Sequence, residues 1–583
     1  MDANEGISPA ARAGIVLTGA LQGLMCWLIS WYIGYASLPA DNLWLLCVVP
    51  ATLMVSTTFA LCVTSYRQPL MWLALLVILA AVAGMGGWLR WTLYEKEIWS
   101  VREELLIFGF QLLLMSLLML PWLQRRFDRP TEAAFYADFY SRNWHNALTL
   151  VIVFVFNGLV WLVLFLWAEL FRLVGIELFQ TLFFDSGWFI AVAIGLVCAC
   201  AIVLARTRRG LIQALQNLLT LIATALLPLV AVLALIFIVV LPFVGLTAIS
   251  ARVSAAGLLL TLAILLLLLV AVVWHPQRDA LPWNAPVRAP IRAALIVLPL
   301  YPLLAAWALW LRIAQYGWTP QRLYGVLITI VALVWAIGFC ISVLHPRRDP
   351  RAVQGAVTPG VGLLSLLLLI LINTPILDPW RISVASHMAR YQSGAIKADR
   401  VSLYMLSQTG REGHEALVAL QKDPQFMANP ERRREINALL SKTKGGAQPV
   451  SAAALARWVE LAPGTPRPDA GLWQEMVKQS YRFESCTWTA GSCLLTMLDL
   501  NGDAKAEAVV YQFSDRAIMV YTQRPGGWTL AGDAWKMPEK LTRQALDRAL
   551  QQGELKAVAK PWADISLFGE RIEVNYNAYP TGQ

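Results

Sequence analysis

Apolar segments of about 18 or more residues recur through the first 377 positions, and this repetition constrains the fold more than any motif does. A segment of that length can cross the hydrocarbon core of a bilayer as one helix. Only 14% of the residues are charged and the mean hydropathy is +0.57, values that exclude an ordinary soluble enzyme, a disordered protein and a disulfide-rich secreted module. The sequence therefore predicts an α-helical polytopic membrane protein.

Polar breaks between the apolar runs predict about eleven transmembrane helices. They lie at residues 13–35, 43–64, 70–92, 105–123, 147–168, 188–205, 214–243, 254–274, 291–311, 323–344 and 360–377. Pro50, Pro121 and Pro228 fall inside three of them, where a kink is tolerated if neighbouring groups satisfy the freed carbonyl. An odd number of helices places the two ends of the chain on opposite sides of the membrane.

The basic residues of the membrane half are concentrated on one side. Fifteen lie in the loops on the side of the N-terminus and seven in the opposite loops, so the positive-inside rule places the N-terminus in the cytoplasm. We therefore expect a multi-pass protein of the bacterial inner (plasma) membrane whose C-terminal domain is periplasmic. Before residue 378 there are 22 Lys and Arg against 15 Asp and Glu, which favours membrane lipids as partners and no nucleic acid.

The residues after position 377 are more polar, and their pattern changes from helical to strand-like near residue 463. Residues 378–462 contain short helical patterns in succession and predict a juxtamembrane helical subdomain after the transmembrane domain of residues 1–377. Residues 463–583 contain alternating apolar and polar segments and a helix near 538–551, which predict a small, soluble, β-rich α+β domain. Envelope proteins or glycans are candidate partners for this exterior part.

Two of the eight cysteines, Cys486 and Cys493, lie outside the apolar spans and are seven residues apart. In an oxidising compartment they would form a disulfide, which is worth about 2.5 kcal/mol by the entropy of loop closure. Two free thiols or a redox pair are the alternatives. We expect the disulfide.

An acidic loop precedes one of the predicted strands. Its oxygen-bearing residues occupy positions one, three, five and nine, with a backbone carbonyl at seven, as in calcium loops: Asp499, Asn501, Asp503, Lys505 and Glu507. It resembles the short loops of FG-GAP-type and dockerin-type repeats. Ala504 occupies the sixth position, where a sharp turn favours Gly, and Val510 replaces the usual bidentate glutamate. A weak calcium site and a metal-free, Asx-rich turn are both compatible with this pattern.

The most distinctive membrane motif joins the ninth and tenth predicted helices. Thr319 followed by Pro320 predicts a helix N-cap and first turn. Two arginines in this short external loop oppose the positive-inside bias, and the predicted site for an anionic headgroup consists of them and three aromatic residues: Arg312, Tyr316, Trp318, Arg322 and Tyr324. The alternative is an aromatic belt at the membrane interface with arginines that extend to the water.

Two segments, Arg312–Tyr324 and Asp378–Arg390 with Ser393 and Gly394 after it, resemble a bacterial multi-pass inner-membrane family known as domain of unknown function 4153. The likeness covers about residues 140–420. The resemblance implies a location and a fold class, and it implies no activity for this chain. The β-rich module with its acidic loop is an addition to the family pattern.

Three function classes remain open. The first is a non-enzymatic envelope scaffold or recognition protein that presents a periplasmic domain, because no carboxylate or histidine lies in the middle of a span. The second is a transporter or flippase for an anionic lipid or amphiphile. The third is a membrane transferase acting on a lipid-linked substrate, for which the only clustered external acids are Glu95, Glu97, Glu103 and Glu104.

Overall fold

The computed structural model describes residues 7–35, 45–93, 102–128, 135–244, 254–276, 281–345, 350–429, 432–433, 435–437, 439–440, 451–479, 482–483, 486, 492–500, 502–513, 517–534, 543–552, 565–567 and 570–572. The chain divides into two compact units, Met1–Ala419 and Leu420–Gln583. The predicted domain boundaries after residues 377 and 462 stay predictions.

Long apolar helices form most of the first unit. They are α1 (Pro9–Tyr35), α2 (Leu45–Cys62), α3 (Pro69–Leu93), α4 (Arg102–Asp128), α5 (Phe135–Leu173), α6 (Gly187–Thr207), α7 (Arg209–Val244), α8 (Ala255–Val273), α9 (Ala285–Val297), α10 (Leu300–Tyr316), α11 (Pro320–Leu344) and α12 (Pro350–Ile372). Because α9 and α10 are nearly continuous and count as one span, the described residues contain eleven candidate membrane spans. Each overlaps one predicted segment, which confirms the polytopic helical fold.

The helices pack through small residues and through polar pairs. Gly19 of α1 faces α6, where an added Cβ would lie 2.5 Å from the carbonyl oxygen of Gly195, so only glycine permits this approach. Gln124 of α4 and Asn146 of α5 exchange two hydrogen bonds of 3.0 and 3.1 Å. Asn157 donates to the sulfur of Cys198 at 3.0 Å. Intramembrane amides thus serve as contacts between helices.

The fifth helix is longer than its predicted span of residues 147–168. α5 begins at Phe135 because its polar first turns are fixed by ion pairs. The carboxylate of Asp138 lies 3.2 Å from Arg125 of α4 and 3.0 Å from Arg142 on its own helix. The sequence pattern assigned these polar turns to a loop.

Shorter elements follow the last span. In chain order the helices are α13 (Pro379–Gln392), α14 (Leu403–Gln408), α15 (Gly410–Gln421), α16 (Pro424–Met427), α17 (Ala452–Trp458), α18 (Ala470–Lys478) and α19 (Arg543–Gln551). The strands are β1 (Glu460–Leu461), β2 (Cys493–Leu498), β3 (Glu507–Gln512), β4 (Ala517–Arg524), β5 (Gly527–Ala534), β6 (Ile565–Leu567) and β7 (Glu570–Ile572).

The second unit is built around a five-stranded sheet in the order β1-β2-β3-β4-β5. β1 is parallel to β2, and the other neighbours are antiparallel. One face packs with Phe483 and both cysteines, while the other packs with Leu546 of α19. Strands β6 and β7 form a separate antiparallel pair. A small β-rich α+β fold is therefore confirmed for this part of the chain.

Candidate functional site

The turn between α10 and α11 positions the predicted arginines. Gly317 ends α10 with φ +79°, a conformation that favours glycine, and an added Cβ would lie 3.1 Å from side-chain atoms of Arg390 and Ser386. The hydroxyl of Thr319 accepts from the N–H of Arg322 at 3.4 Å. The predicted N-cap of α11 is thereby confirmed.

Three of the five predicted residues come together beside this turn. The guanidinium carbons of Arg312 and Arg322 lie 5.8 and 5.6 Å from the centre of the Tyr316 ring, which is 58% exposed. Such contacts are typical of cation–π pairs. Arg322 donates one N–H to the carbonyl of Gly317 at 2.5 Å. We call these three residues the arginine–tyrosine cluster.

The other two predicted residues have different neighbours. Trp318 is held through its backbone, because its N–H donates to the hydroxyl of Ser386 at 3.1 Å and its carbonyl accepts from Ser383 at 3.2 Å. The hydroxyl of Tyr324 accepts from the amide of Gln111 on α4 at 3.4 Å. Both residues therefore stabilise the turn and its helix through hydrogen-bond partners outside the arginine–tyrosine cluster.

Arg390 of α13 adds a cation that sequence reasoning did not identify as part of the site. It donates to the carbonyls of Ala314 and Gln315 at 3.0 and 2.6 Å, in the last turn of α10. These carbonyls lack helical partners, and the negative end of the helix dipole attracts a cation. Arg390 thereby fixes α13 against the end of α10. The two family-like segments, read separately in the sequence, are in direct contact.

Asp378 anchors the other end of α13. It is only 4% exposed, and one of its carboxylate oxygens accepts from the N–H groups of Trp380 and Arg381 at 2.8 and 3.1 Å. The second oxygen accepts from the indole N–H of Trp88 on α3 at 2.9 Å. Arg411 of α15 also reaches α3, where it donates to the carbonyl of Trp91 at 3.1 Å. The helices after the last span are thus bound to the last turns of α3.

His387 lies on α13 between these anchors. Its Nε2 accepts from the backbone N–H of Ser402 at 3.0 Å. Burial and the positive charge of Arg390 lower the pKa of His387 below 6.5, so the imidazole is neutral at pH 7 and can accept this bond. Among the described residues, no group of three or more His, Cys, Asp or Glu side chains could hold a metal ion.

The predicted calcium loop forms a tight turn. The Asp499 carboxylate accepts from the N–H groups of Gly502 and Ala504 at 2.7 and 3.0 Å. Asp503 accepts from the N–H of Lys505 at 2.8 Å. These bonds are those of Asx-type turns, and Ala504 adopts the left-handed region at φ +63°.

Glu507, the last residue of the predicted loop, is buried, and its carboxylate accepts hydrogen bonds from within the protein. Its carboxylate accepts from the N–H of Leu500 at 2.8 Å and from the hydroxyl of Thr522 at 3.1 Å. Asn501 lies outside the described residues. Calcium binding by this loop therefore stays a prediction, and the hydrogen bonds are those of the alternative, metal-free turn.

The disulfide between Cys486 and Cys493 is present, as the sequence predicts, and both residues are fully buried in the second unit. Of the acidic residues considered for a transferase, Glu95 and Glu97 lie outside the described residues. A catalytic role for that cluster stays a prediction.

A family model described as Domain of unknown function (DUF4153) matches residues 43–420. The match includes both segments that meet at the turn, Arg312–Tyr324 and Asp378–Arg390, and confirms the resemblance expected from them. No curated protein and no solved structure matches the chain.

Proposed function

Because the chain belongs to the DUF4153 family and is an integral membrane protein, we propose that it is a non-enzymatic scaffold or recognition protein of the bacterial inner membrane. Its second unit would be presented in the periplasm. The observation that carries this proposal is the buried disulfide of Cys486 and Cys493, which follows the eleven candidate spans found in the described residues. Disulfides persist in oxidising compartments, and an odd number of spans would put this unit on the side opposite the N-terminus, which supports the proposal. The arginine bias of the loops supports the same orientation.

Reporter fusions test this orientation. Alkaline phosphatase fused after Gln583 should be active and a fluorescent protein at the same position should be dark, since each reporter matures on one side only. Fusions after Leu344, which ends the tenth span, should give the opposite pattern and serve as the matched control. A fluorescent fusion after Gln583 with inactive phosphatase would contradict the proposal.

A second candidate function is binding or transport of an anionic lipid or amphiphile at the arginine–tyrosine cluster. Its support is the convergence of two guanidinium groups on one exposed ring, with no carboxylate in ion-pair contact with either among the described residues. A phosphate placed between Arg312 and Arg322 would relieve their mutual repulsion and accept charge-assisted hydrogen bonds.

One vesicle assay separates the two candidates. Full-length protein is reconstituted in vesicles that contain fluorescent phosphatidylglycerol, and a membrane-impermeant quencher reports lipid that crosses the bilayer. The scaffold proposal predicts the same slow crossing as in protein-free vesicles. Faster crossing that falls about tenfold in Arg312→Gln/Arg322→Gln would favour the transporter. Arg172→Gln is the control, because Arg172 is already paired with Glu169 at 2.7 Å.

A further inference from the structure

A groove opens where the chain leaves its last span. α12 ends at Ile372, and the backbone turns so that the N–H of Leu377 donates to the carbonyl of Leu371 at 3.3 Å before α13 begins. The cavity between this turn and α13 has a volume of about 470 Å³ and is lined by Pro375, Ile376, Arg381, Ile382 and Ala385. Its size is in the range of small-ligand pockets.

The walls of the groove are mostly apolar. Ile376 is 70% exposed although it lies only four residues beyond the end of a membrane span. Ile382 and Ala385 are three positions apart on α13 and so share one helix face. The headgroup region extends several Å beyond the hydrocarbon core, so a residue this close to the span lies at the level of the headgroups and the upper acyl carbons.

One cation, Arg381, completes the lining. It is exposed, and its guanidinium donates to the carbonyl of Pro375 at 3.4 Å, which leaves most of its N–H donors available. No carboxylate of the described residues forms an ion pair with it. Glu412 is close enough to interact with Arg381 electrostatically, although the two side chains do not form an ion pair.

We propose that this groove binds an anionic phospholipid from the adjacent leaflet. The phosphate pairs with Arg381, and the glycerol and first methylenes lie on Ile376, Ile382 and Ala385. A polar head with an apolar body matches a lining of one guanidinium and aliphatic side chains at the membrane surface. The site uses residues other than the arginine–tyrosine cluster, and it does not depend on which side of the membrane α13 faces.

Photo-crosslinking tests the proposal on the full-length protein. The protein is placed in phosphatidylcholine nanodiscs that contain a trace of phosphatidylglycerol with a photoactivatable group near the glycerol, and the labelled peptides are mapped by mass spectrometry. We expect labelling within residues 375–385. Arg381→Gln should reduce it about tenfold, since a charge-assisted hydrogen bond is lost. Ile376→Asn should reduce it several-fold, and the exposure of this side chain makes the variant compatible with folding.

The controls are exposed residues of the same region that do not line the groove. Arg400→Gln removes an equal charge, and Tyr404→Asn removes an apolar side chain that is 75% exposed. Both should keep wild-type labelling. Unchanged labelling in Arg381→Gln, an equal loss in Arg400→Gln, or equal labelling by a phosphatidylcholine probe would each overturn the proposal. The reporter fusions that test orientation have no bearing on this result, so the two proposals can fail separately.

Discussion

Replacing Asp378 by alanine should release α13 from the membrane helices. The substitution removes the N-cap of α13, a loss of about 1 kcal/mol. It also leaves the half-buried indole N–H of Trp88 without its acceptor, at a further cost of about 1 kcal/mol. Together these terms come to about 2 kcal/mol and raise the population of undocked α13 about 30-fold.

Hydrogen exchange of the peptide that covers residues 379–392 measures this population directly, because local opening governs the exchange of helix amides. Asp378→Asn separates the two terms. Its amide oxygen can still cap the helix, but its NH₂ group cannot accept from Trp88, so exchange should rise only about fivefold. Trp88→Phe should add little to Asp378→Asn, since both remove one hydrogen bond. Wild-type exchange in Asp378→Ala, or equal exchange in both Asp378 variants, would refute the reasoning.

Three further predictions concern other parts of the chain. Gly19→Leu should force α1 from α6 and lower the yield and melting temperature of the purified protein, whereas Gly84→Leu should change neither, because no atom lies within 4 Å of an added Cβ there. Cys486→Ser should destabilise the second unit by about 2.5 kcal/mol and speed its proteolysis, and an unchanged digestion rate would contradict this. The pKa of His387 is lower in the folded protein than in the unfolded chain, so its stabilisation is present above about pH 6.5 and declines as the pH falls. The amide of Ser402 should therefore exchange faster at about pH 5 after correction for intrinsic rates, and His387→Gln should abolish this dependence.

The membrane fold is predictable from the sequence because its main signal is local. Each span needs about 20 apolar residues in succession, whatever the rest of the chain does. The limits of the spans are less predictable, as α5 shows. Asp138 and Arg142 indicate a loop when read alone, and they become helical because Arg125 of another helix shares the carboxylate. That ion pair is a tertiary contact between two helices, so a hydropathy profile of the sequence cannot reveal it.

The second unit gives a related example. Burial alternates along β4, but β3 is buried at every position, and β2 reads Cys-Leu-Leu-Thr-Met-Leu with no alternation. Leu494 and Leu495 are both fully buried because the sheet is covered on both faces. Period-two patterning is typical of strands with one solvated face, so this strand could not be recognised by it.

The candidate site was predictable only in part. Arg312, Tyr316 and Arg322 are close in sequence across one turn, and a helix end followed by an N-cap brings them together. Arg390 lies about 75 residues from the carbonyls that it binds, so helical periodicity contains no information about this contact. The ligand contact expected of the Trp318 side chain stays a prediction, and the backbone hydrogen bond of Trp318 to Ser386 is a tertiary contact that its aromatic character does not indicate.

The length of α5 has a consequence for the face of the protein on which the chain begins. Its 39 residues measure about 58 Å along the axis. Even at a steep tilt of about 40°, crossing the hydrocarbon core uses only about 39 Å, so about 19 Å of the helix, or roughly three and a half turns, lies outside the hydrocarbon core. The ion pairs of Asp138 with Arg125 and Arg142 stabilise the first turns of α5, at its polar end. Soluble macromolecules or antibody fragments can therefore bind this end of α5 without disturbing the bilayer.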